Sequence, residues 1–233
     1  MIEICDLHFQ LGQKIVFSHI NLEIKQGDFY AVIGGNGSGK STLLKLIEGL
    51  LMPSSGKITI FGMDTHNEEL RFEIRKKIGF VFQNPENQII ASTVLEDLCF
   101  GMENLGFSRE MMTERLKEVL TFTGLKGLEN RNPLTLSGGQ KQRLAIASAI
   151  ITDPEILLLD EPLSMIDPEG QRDVFKLIVD FHKKNKTILM VTHDMAIASK
   201  AEYLVFLKNG AIELCGKTAH IFHRLSQYEE LDI

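Results

Sequence analysis

Gly34-Gly35-Asn36-Gly37-Ser38-Gly39-Lys40-Ser41-Thr42 is the stretch on which the reading of this chain turns. It contains the full G-x-x-x-x-G-K-[ST] phosphate-loop pattern. The apolar run Phe29-Tyr30-Ala31-Val32-Ile33 before it reads as a buried strand, and Leu43-Leu44-Lys45-Leu46-Ile47 behind it opens an amphipathic helix. Strand, glycine loop and helix is the context this pattern needs. The glycines let backbone N–H groups curl around a polyphosphate, and the helix N-terminus adds its positive end. Lys40 is placed to reach the β- and γ-phosphates, and Ser41 to offer its hydroxyl to Mg²⁺. At average residue usage the four fixed positions recur by chance in on the order of 1% of chains this long. The stretch therefore implies a nucleoside triphosphate site.

The 233 residues suffice for one large core with a smaller subdomain attached. A formal net charge of −6, from 25 basic and 31 acidic residues, gives no basic surface for nucleic acid, and no nucleic-acid partner is expected. Cys5, Cys99 and Cys215 lie far apart without metal-ligand spacing and are expected to be reduced thiols that fill the core. Met1-Ile2-Glu3-Ile4 lacks the basic-then-apolar form of a secretory signal, and no apolar run approaches the ~18 residues of a membrane span. The expectation is a cytosolic chain, or one that rests on a membrane only through a partner.

From Ile2 to Ile24 the pattern alternates, with Leu7, Phe9 and Leu11 on one face and Ile20, Leu22 and Ile24 set against Asn21, Glu23 and Lys25. That predicts a half-buried antiparallel sheet. Gln26-Gly27-Asp28 turns the chain into the strand that feeds the phosphate loop. Beyond the loop helix, Pro53-Ser54-Ser55-Gly56 breaks the pattern, Ile58 and Ile60 resume a strand, a polar helix runs from about Glu68 to Lys77, and Ile78 to Phe82 reads as another strand. From Thr93 to about Ile151 the chain is mostly helical, with a capping box at Thr93-Val94-Leu95-Glu96 and a cap at Ser108. The stripe Met112, Leu116, Val119 and Leu120 belongs to core packing. This block, 84–151, is the expected inserted subdomain, with 1–83 and 152–233 forming the core.

Five further signals lie outside the loop. Gln83 follows the Ile78–Phe82 strand, where an amide could reach Mg²⁺ and an attacking water, although a solvated loop amide fits as well. Leu136-Ser137-Gly138-Gly139-Gln140 opens a helix, with Ser137 as cap and Gly138 and Gly139 baring first-turn N–H groups as a second anion site; an ordinary capped helix also fits. The run Ile156-Leu157-Leu158-Leu159 suits a central parallel strand and ends in Asp160-Glu161-Pro162. There Asp160 would hold Mg²⁺ and Glu161 would polarise water as general base. Asp167-Pro168 starts a helix with the stripe Val174, Leu177, Ile178 and Phe181, and the strand from Thr187 to Thr192 ends in His193. A histidine there lies on the ligand side of an open α/β sheet, although a lone one is more often structural. Tyr203 to Leu214 reads as a hairpin around Asn209-Gly210, and a short helix and polar tail follow from Thr218.

Taken together and in this order, these features resemble the ATP-binding cassette (ABC) ATPases over nearly the whole chain, and the signature Leu-Ser-Gly-Gly-Gln stands unchanged at 136–140. The resemblance implies an α/β fold: a RecA-like phosphate-loop core, an N-terminal antiparallel β subdomain and an inserted α-helical subdomain. It makes Gln83 the Q-loop, Asp160 the Walker B aspartate, Glu161 the catalytic base, Ser164-Met165-Ile166-Asp167 the D-loop and His193 the switch histidine. It also implies ATP and Mg²⁺ as ligands, with Ser41, Gln83 and Asp160 toward the metal. The family works as a head-to-tail dimer in which the signature Ser137 and Gly139 complete the partner's site. One phosphate loop leaves the γ-phosphate half open, which fits a reaction that depends on positioning and charge stabilisation.

A narrower resemblance begins at Phe82-Gln83-Asn84-Pro85-Glu86-Asn87-Gln88 and continues through Thr93-Val94, Glu96-Asp97, Phe100-Gly101 and Glu103-Asn104-Leu105-Gly106. It is similar to the ATPase subunits of energy-coupling-factor (ECF) importers of vitamins or metal ions such as cobalt and nickel. It implies that residues 84–106 receive a transmembrane partner and that the chain sits on the cytoplasmic face of the membrane. Where ABC ATPases commonly stack adenine on an aromatic residue, the matching position is Leu11, so an aliphatic surface for the base is expected. Met165-Ile166 also departs from the family's usual D-loop, and ECF ATPases often carry a longer C-terminal region. Two other functions compete: a soluble ABC ATPase of translation or DNA repair, usually built from two cassettes or with a long coiled coil, and a switch that binds ATP without turnover. The single cassette and the presence of both Glu161 and His193 favour the transport motor.

Overall fold

The computed structural model describes residues 1–225. In chain order its elements are β1 (Ile2–Leu11), β2 (Lys14–Ile24), β3 (Phe29–Ile33), α1 (Lys40–Glu48), β4 (Ser55–Ile60), β5 (Met63–Asp64), α2 (Glu68–Lys76) and β6 (Ile78–Val81). There follow α3 (Val94–Asn104), α4 (Arg109–Phe122), α5 (Gly138–Ile150), β7 (Ile156–Asp160), α6 (Pro168–His182), β8 (Thr187–Val191), α7 (Met195–Ala198), β9 (Tyr203–Lys208), β10 (Ala211–Lys217) and α8 (Thr218–Leu225). The expected polar tail lies outside the described residues. Among the described residues no helix is long and apolar enough to cross a membrane. The chain divides into two compact units, Met1–Arg75 with the stretch from Asn185 onward, and Lys76–Lys184.

The first unit holds two sheets. In one, β1 pairs antiparallel with β2 and β4, and β5 pairs antiparallel with β4. Leu7, Ile20, Ile24, Ile58 and Ile60 are fully or almost fully buried, as the alternation predicts, and Phe17 joins them. Leu11 departs from it and is 63% exposed, whereas Leu7 and Phe9 are buried. The β1–β2 register shifts three times, between Ile4 and Leu7, Leu7 and Phe9, and Phe9 and Gln10, so strict alternation fails before the strand ends. In the other sheet β3 lies between β8 and β9, parallel to both, and β10 runs antiparallel to β9. Every residue of β3 and β8 is buried, the pattern of strands covered on both faces. The β9–β10 turn has positive φ at Asn209 (50°) and Gly210 (76°), as its Asn-Gly pair requires.

In the second unit β6 and β7 pair in parallel, Ile78 with Ile156 through Val81 with Leu159. Gly79 is needed for close approach here: a Cβ on it would lie 2.5 Å from the Ala149 carbonyl oxygen of α5. The helices start where the caps predict. Thr93 and Glu96 form the reciprocal capping box, Ser108 Oγ accepts from Met111 N–H, and Asp167 Oδ1 accepts from Glu169 and Gly170 N–H. Val174, Leu177, Ile178 and Phe181 form the buried stripe of α6. Arg115 on α4 donates to the Ile150 and Ile151 carbonyls and so closes the C-terminal end of α5. The expectation for the cysteines fails at two of three positions. Cys5 and Cys215 are exposed, because each stands at an outward position of its strand, beside buried Ile4 and Leu214.

Candidate nucleotide site

In the first unit the all-buried β3 runs directly into the phosphate loop. The loop's glycines are fixed by sterics as well as by backbone. A Cβ on Gly34 (φ 150°) would lie 2.1 Å from the Leu207 carbonyl oxygen, and one on Gly39 (φ 105°) would lie 2.5 Å from the Phe17 ring. Gly37 (φ 78°) has open space around it and is held to glycine by backbone alone. Gly39 is the N-cap of α1 and supplies no side-chain cap. Lys40 is 6% exposed, and its Nζ donates to the Gly34 and Gly35 carbonyls at 2.7 and 3.0 Å. Ser38 N–H donates to Gly35 O, while Ser38 Oγ is buried without a hydrogen-bond partner among the described residues. An uncapped helix start, a buried ammonium and an unsatisfied buried hydroxyl suit a polyphosphate, whose oxygens accept from all three.

His193 reaches the same end of the sheet. Val191, the last residue of β8, pairs with Val32 of β3, and Thr192 N–H donates to Val32 O. His193 is exposed one residue further on, beyond the carboxyl end of the strand whose parallel neighbour feeds the loop. Asp194 fixes the chain behind it, accepting from Ala196 and Ile197 N–H at the start of α7. Leu11 lies at the β1–β2 hairpin, paired with Lys14, and it and Ile15 present exposed aliphatic surface.

In the second unit the parallel register of β6 and β7 sets Gln83 and Glu161 at one level, each two residues beyond a paired strand residue. Gln83 Nε2 donates to Glu161 Oε2 at 3.1 Å. Asp160, the last residue of β7, is 5% exposed. Glu161 has φ 47°, a left-handed conformation unusual for a residue other than glycine, and its carbonyl accepts from Ser164 N–H and Oγ. Such strained residues concentrate at functional sites. Ser137 Oγ accepts from Gln140 N–H and Gln140 Oε1 accepts from Ser137 N–H, a capping box that the sequence reading missed. Its signal, serine followed three residues later by glutamine, lies within the signature itself. Among the described residues nothing forces glycine at 138 or 139, where a Cβ would meet neighbours at 3.5 to 3.6 Å, ordinary contact distances.

The segment after Gln83 is pinned by residues whose roles the sequence reading left open. Gln88 accepts from Phe82 N–H and donates to the Ala145 carbonyl. Glu86 pairs with Lys141. Asp97, 5% exposed, accepts from Ile90 and Ala91 N–H through Oδ1 and from Ser148 Oγ through Oδ2. Together they present exposed Ile90 and Phe100.

A family model described as ABC transporter matches residues 17–164. The energy-coupling factor transporter ATP-binding protein EcfA1 of Halalkalibacterium halodurans is 43% identical over 233 residues, covering 100% of this chain and 84% of that protein. Among solved structures, cbiO1 from Clostridium perfringens, described as part of the ABC transporter complex cbiONQ, superposes with a TM-score of 0.88 at 33% identity. The match covers 97% of this chain and 92% of that one. The ATP-binding cassette MJ0796, in a dimer bound to ADP and Pi, superposes with a TM-score of 0.83 at 33% identity, covering 94% and 99%. The chain belongs to the ABC transporter family, as an ATP-binding cassette. Its α/β fold is that of the cassettes, with a RecA-like phosphate-loop core.

Proposed function

We propose that this chain is the ATP-hydrolysing motor subunit of a membrane importer of the ECF type. Its resemblance to EcfA1 over the full chain supports the transporter class. The observation that carries hydrolysis is the Gln83–Glu161 hydrogen bond at the end of β7. In this reading the loop amides of Gly34 to Thr42, Lys40 and Ser38 bind the ATP phosphates, and Leu11 gives the base an aliphatic surface. Ser41, Gln83 and Asp160 offer Mg²⁺ the hard oxygen donors it prefers. When bound, Mg²⁺ neutralises charge that builds on the phosphate oxygens. Glu161 takes the proton of the attacking water, Gln83 holds that carboxylate in place, and His193 stabilises the γ-phosphate.

We assign Ser137, Gly138, Gly139 and Gln140 to the ATP held by a second ATPase subunit, like or related, in a head-to-tail dimer. Glycines that packing among the described residues does not demand are consistent with a surface kept bare for a ligand. Helical block 84–151 forms the signature subdomain, and residues 84–106 receive the transmembrane subunit, with Ile90 and Phe100 as apolar contacts. The chain would then lie on the cytoplasmic face of the membrane, and the solute, a vitamin or a transition-metal ion, would pass through the partners. The test is affinity purification of the tagged chain from detergent-solubilised cells. A polytopic membrane subunit that co-purifies supports this function, whereas ribosomes or DNA-repair proteins without a membrane subunit would contradict it.

A further inference from the structure

The outer face of the β1–β2 pair gathers Asp6, His8 and His19. One ligand atom from each lies within 4.8 Å of the other two. Asp6 Oδ1 sits 2.6 Å from His19 Nδ1 and 3.4 Å from His8 Nε2, and the two imidazole rings meet edge-on with centroids 4.2 Å apart. The backbone is shaped to bring them together. Asp6 and His19 have φ of 46° and 58°, at the breaks in the β1–β2 register. These bulges turn Asp6, His8 and His19 outward, while Leu7 and Ile20 stay in the core. Asn21 braces both irregular residues, accepting from Asp6 N–H and donating to the His19 carbonyl.

We propose that Asp6, His8 and His19 form a surface site for a borderline divalent cation of the Zn²⁺ class, binding through two imidazole nitrogens and one carboxylate oxygen. Bonds of about 2.0–2.2 Å to a tetrahedral Zn²⁺ place donor atoms roughly 3.3–3.5 Å apart. The His8–Asp6 separation already matches that, and the His19–Asp6 pair needs to open by less than 1 Å, about what a small side-chain rotation gives. Two imidazoles select Zn²⁺, Co²⁺ or Ni²⁺ over Mg²⁺ and Ca²⁺, which prefer all-oxygen sites. The fourth position faces solvent, since the Asp6 and His19 side chains are 64% and 71% exposed, and water fills it. A bound ion ties β1 to β2 and raises the stability of that sheet.

The test uses the full chain without nucleotide, titrated with Zn²⁺ against a chromophoric chelator and separately with Co²⁺, read by visible absorption. His8→Gln and His19→Asn remove one donor each, and asparagine tolerates the left-handed backbone at position 19. Circular dichroism and ATP binding establish that both variants are folded. The expected result is one equivalent of Zn²⁺ bound per chain, a Zn²⁺-dependent rise in Tm, and affinity lowered about tenfold or more in each variant. Excess Mg²⁺ leaves the bound Zn²⁺ in place. Equal Zn²⁺ affinity in the wild type and both folded variants would overturn the proposal, as would a wild type with no measurable Zn²⁺ binding.

Discussion

Gln83 and Glu161 stand 78 residues apart in the chain and share a 3.1 Å hydrogen bond, because β6 and β7 run parallel and in register up to Val81 and Leu159. The amide orients the carboxylate, which the left-handed backbone at Glu161 already aims. Gln83→Ala is therefore expected to lower kcat by about 100-fold, the cost of a misplaced reacting group, while ATP affinity changes little. Steady-state ATPase assays with parallel nucleotide-binding measurements check this. An equal loss in binding would assign Gln83 to ground-state contacts instead.

Gly39 and Gly37 both have positive φ, yet their surroundings differ. A Cβ on Gly39 would overlap the fully buried Phe17 ring, whereas one on Gly37 would meet none of the described residues within 4 Å. Gly37→Ala is expected to cost about 1–2 kcal/mol from backbone strain. Gly39→Ala adds overpacking of about 1–3 kcal/mol and displaces the start of α1, so ATP binding falls with stability. Thermal melts of the two variants side by side measure the difference.

Asp97 holds the segment proposed to meet the membrane subunit. Its carboxylate accepts from Ile90 and Ala91 N–H and from Ser148, and all three donors lose their partner in Asp97→Ala. The expected cost is about 2–4 kcal/mol of stability by chemical denaturation. Asp97→Asn keeps the volume and one acceptor oxygen, and should lose less. A folded Asp97→Asn chain is expected to retain ATPase activity and lose affinity for the membrane subunit.

Glu48, at the end of α1, makes stability depend on pH. Burial pushes its carboxyl up to about 7 against the opposing pull of Arg75, and its Oε2 is buried without a hydrogen-bond partner among the described residues. The native state therefore holds this proton longer than the unfolded chain does. The resulting stability is present in full below the ordinary carboxylate value of 4.5 and is lost as pH rises through about 7. Glu48→Gln removes the cost of ionisation. The variant should match the wild type near pH 4.5 and exceed it by about 1–3 kcal/mol near pH 8. No pH dependence in the difference between their melting curves would contradict this.

Much of this molecule is legible from local sequence. The phosphate loop, the caps at Thr93, Ser108, Ser137 and Asp167, and the buried runs of β3, β7 and β8 each depend on residues within a few positions of one another. What depends on long-range register is not. The Gln83–Glu161 bond requires knowing that β6 pairs with β7. The exposure of Leu11 and the convergence of Asp6, His8 and His19 follow from β-bulges that strict alternation does not encode. Gln88 and Asp97 belong to a recognisable motif, but their roles appear only once Ala145 and Ser148 of α5 are placed against them.

The most direct test of the account is Glu161→Gln, measured by ATP turnover and by sedimentation in the presence and absence of Mg²⁺ and ATP. The amide keeps the shape of the side chain and loses its ability to take a proton from water. The expected outcome is a fall in turnover of about 100- to 10,000-fold with ATP still bound, and a dimer that persists in ATP and dissociates when ATP is removed. Turnover close to that of the wild type would contradict the role of Glu161. A chain that binds ATP and remains monomeric would contradict a site completed by a second subunit.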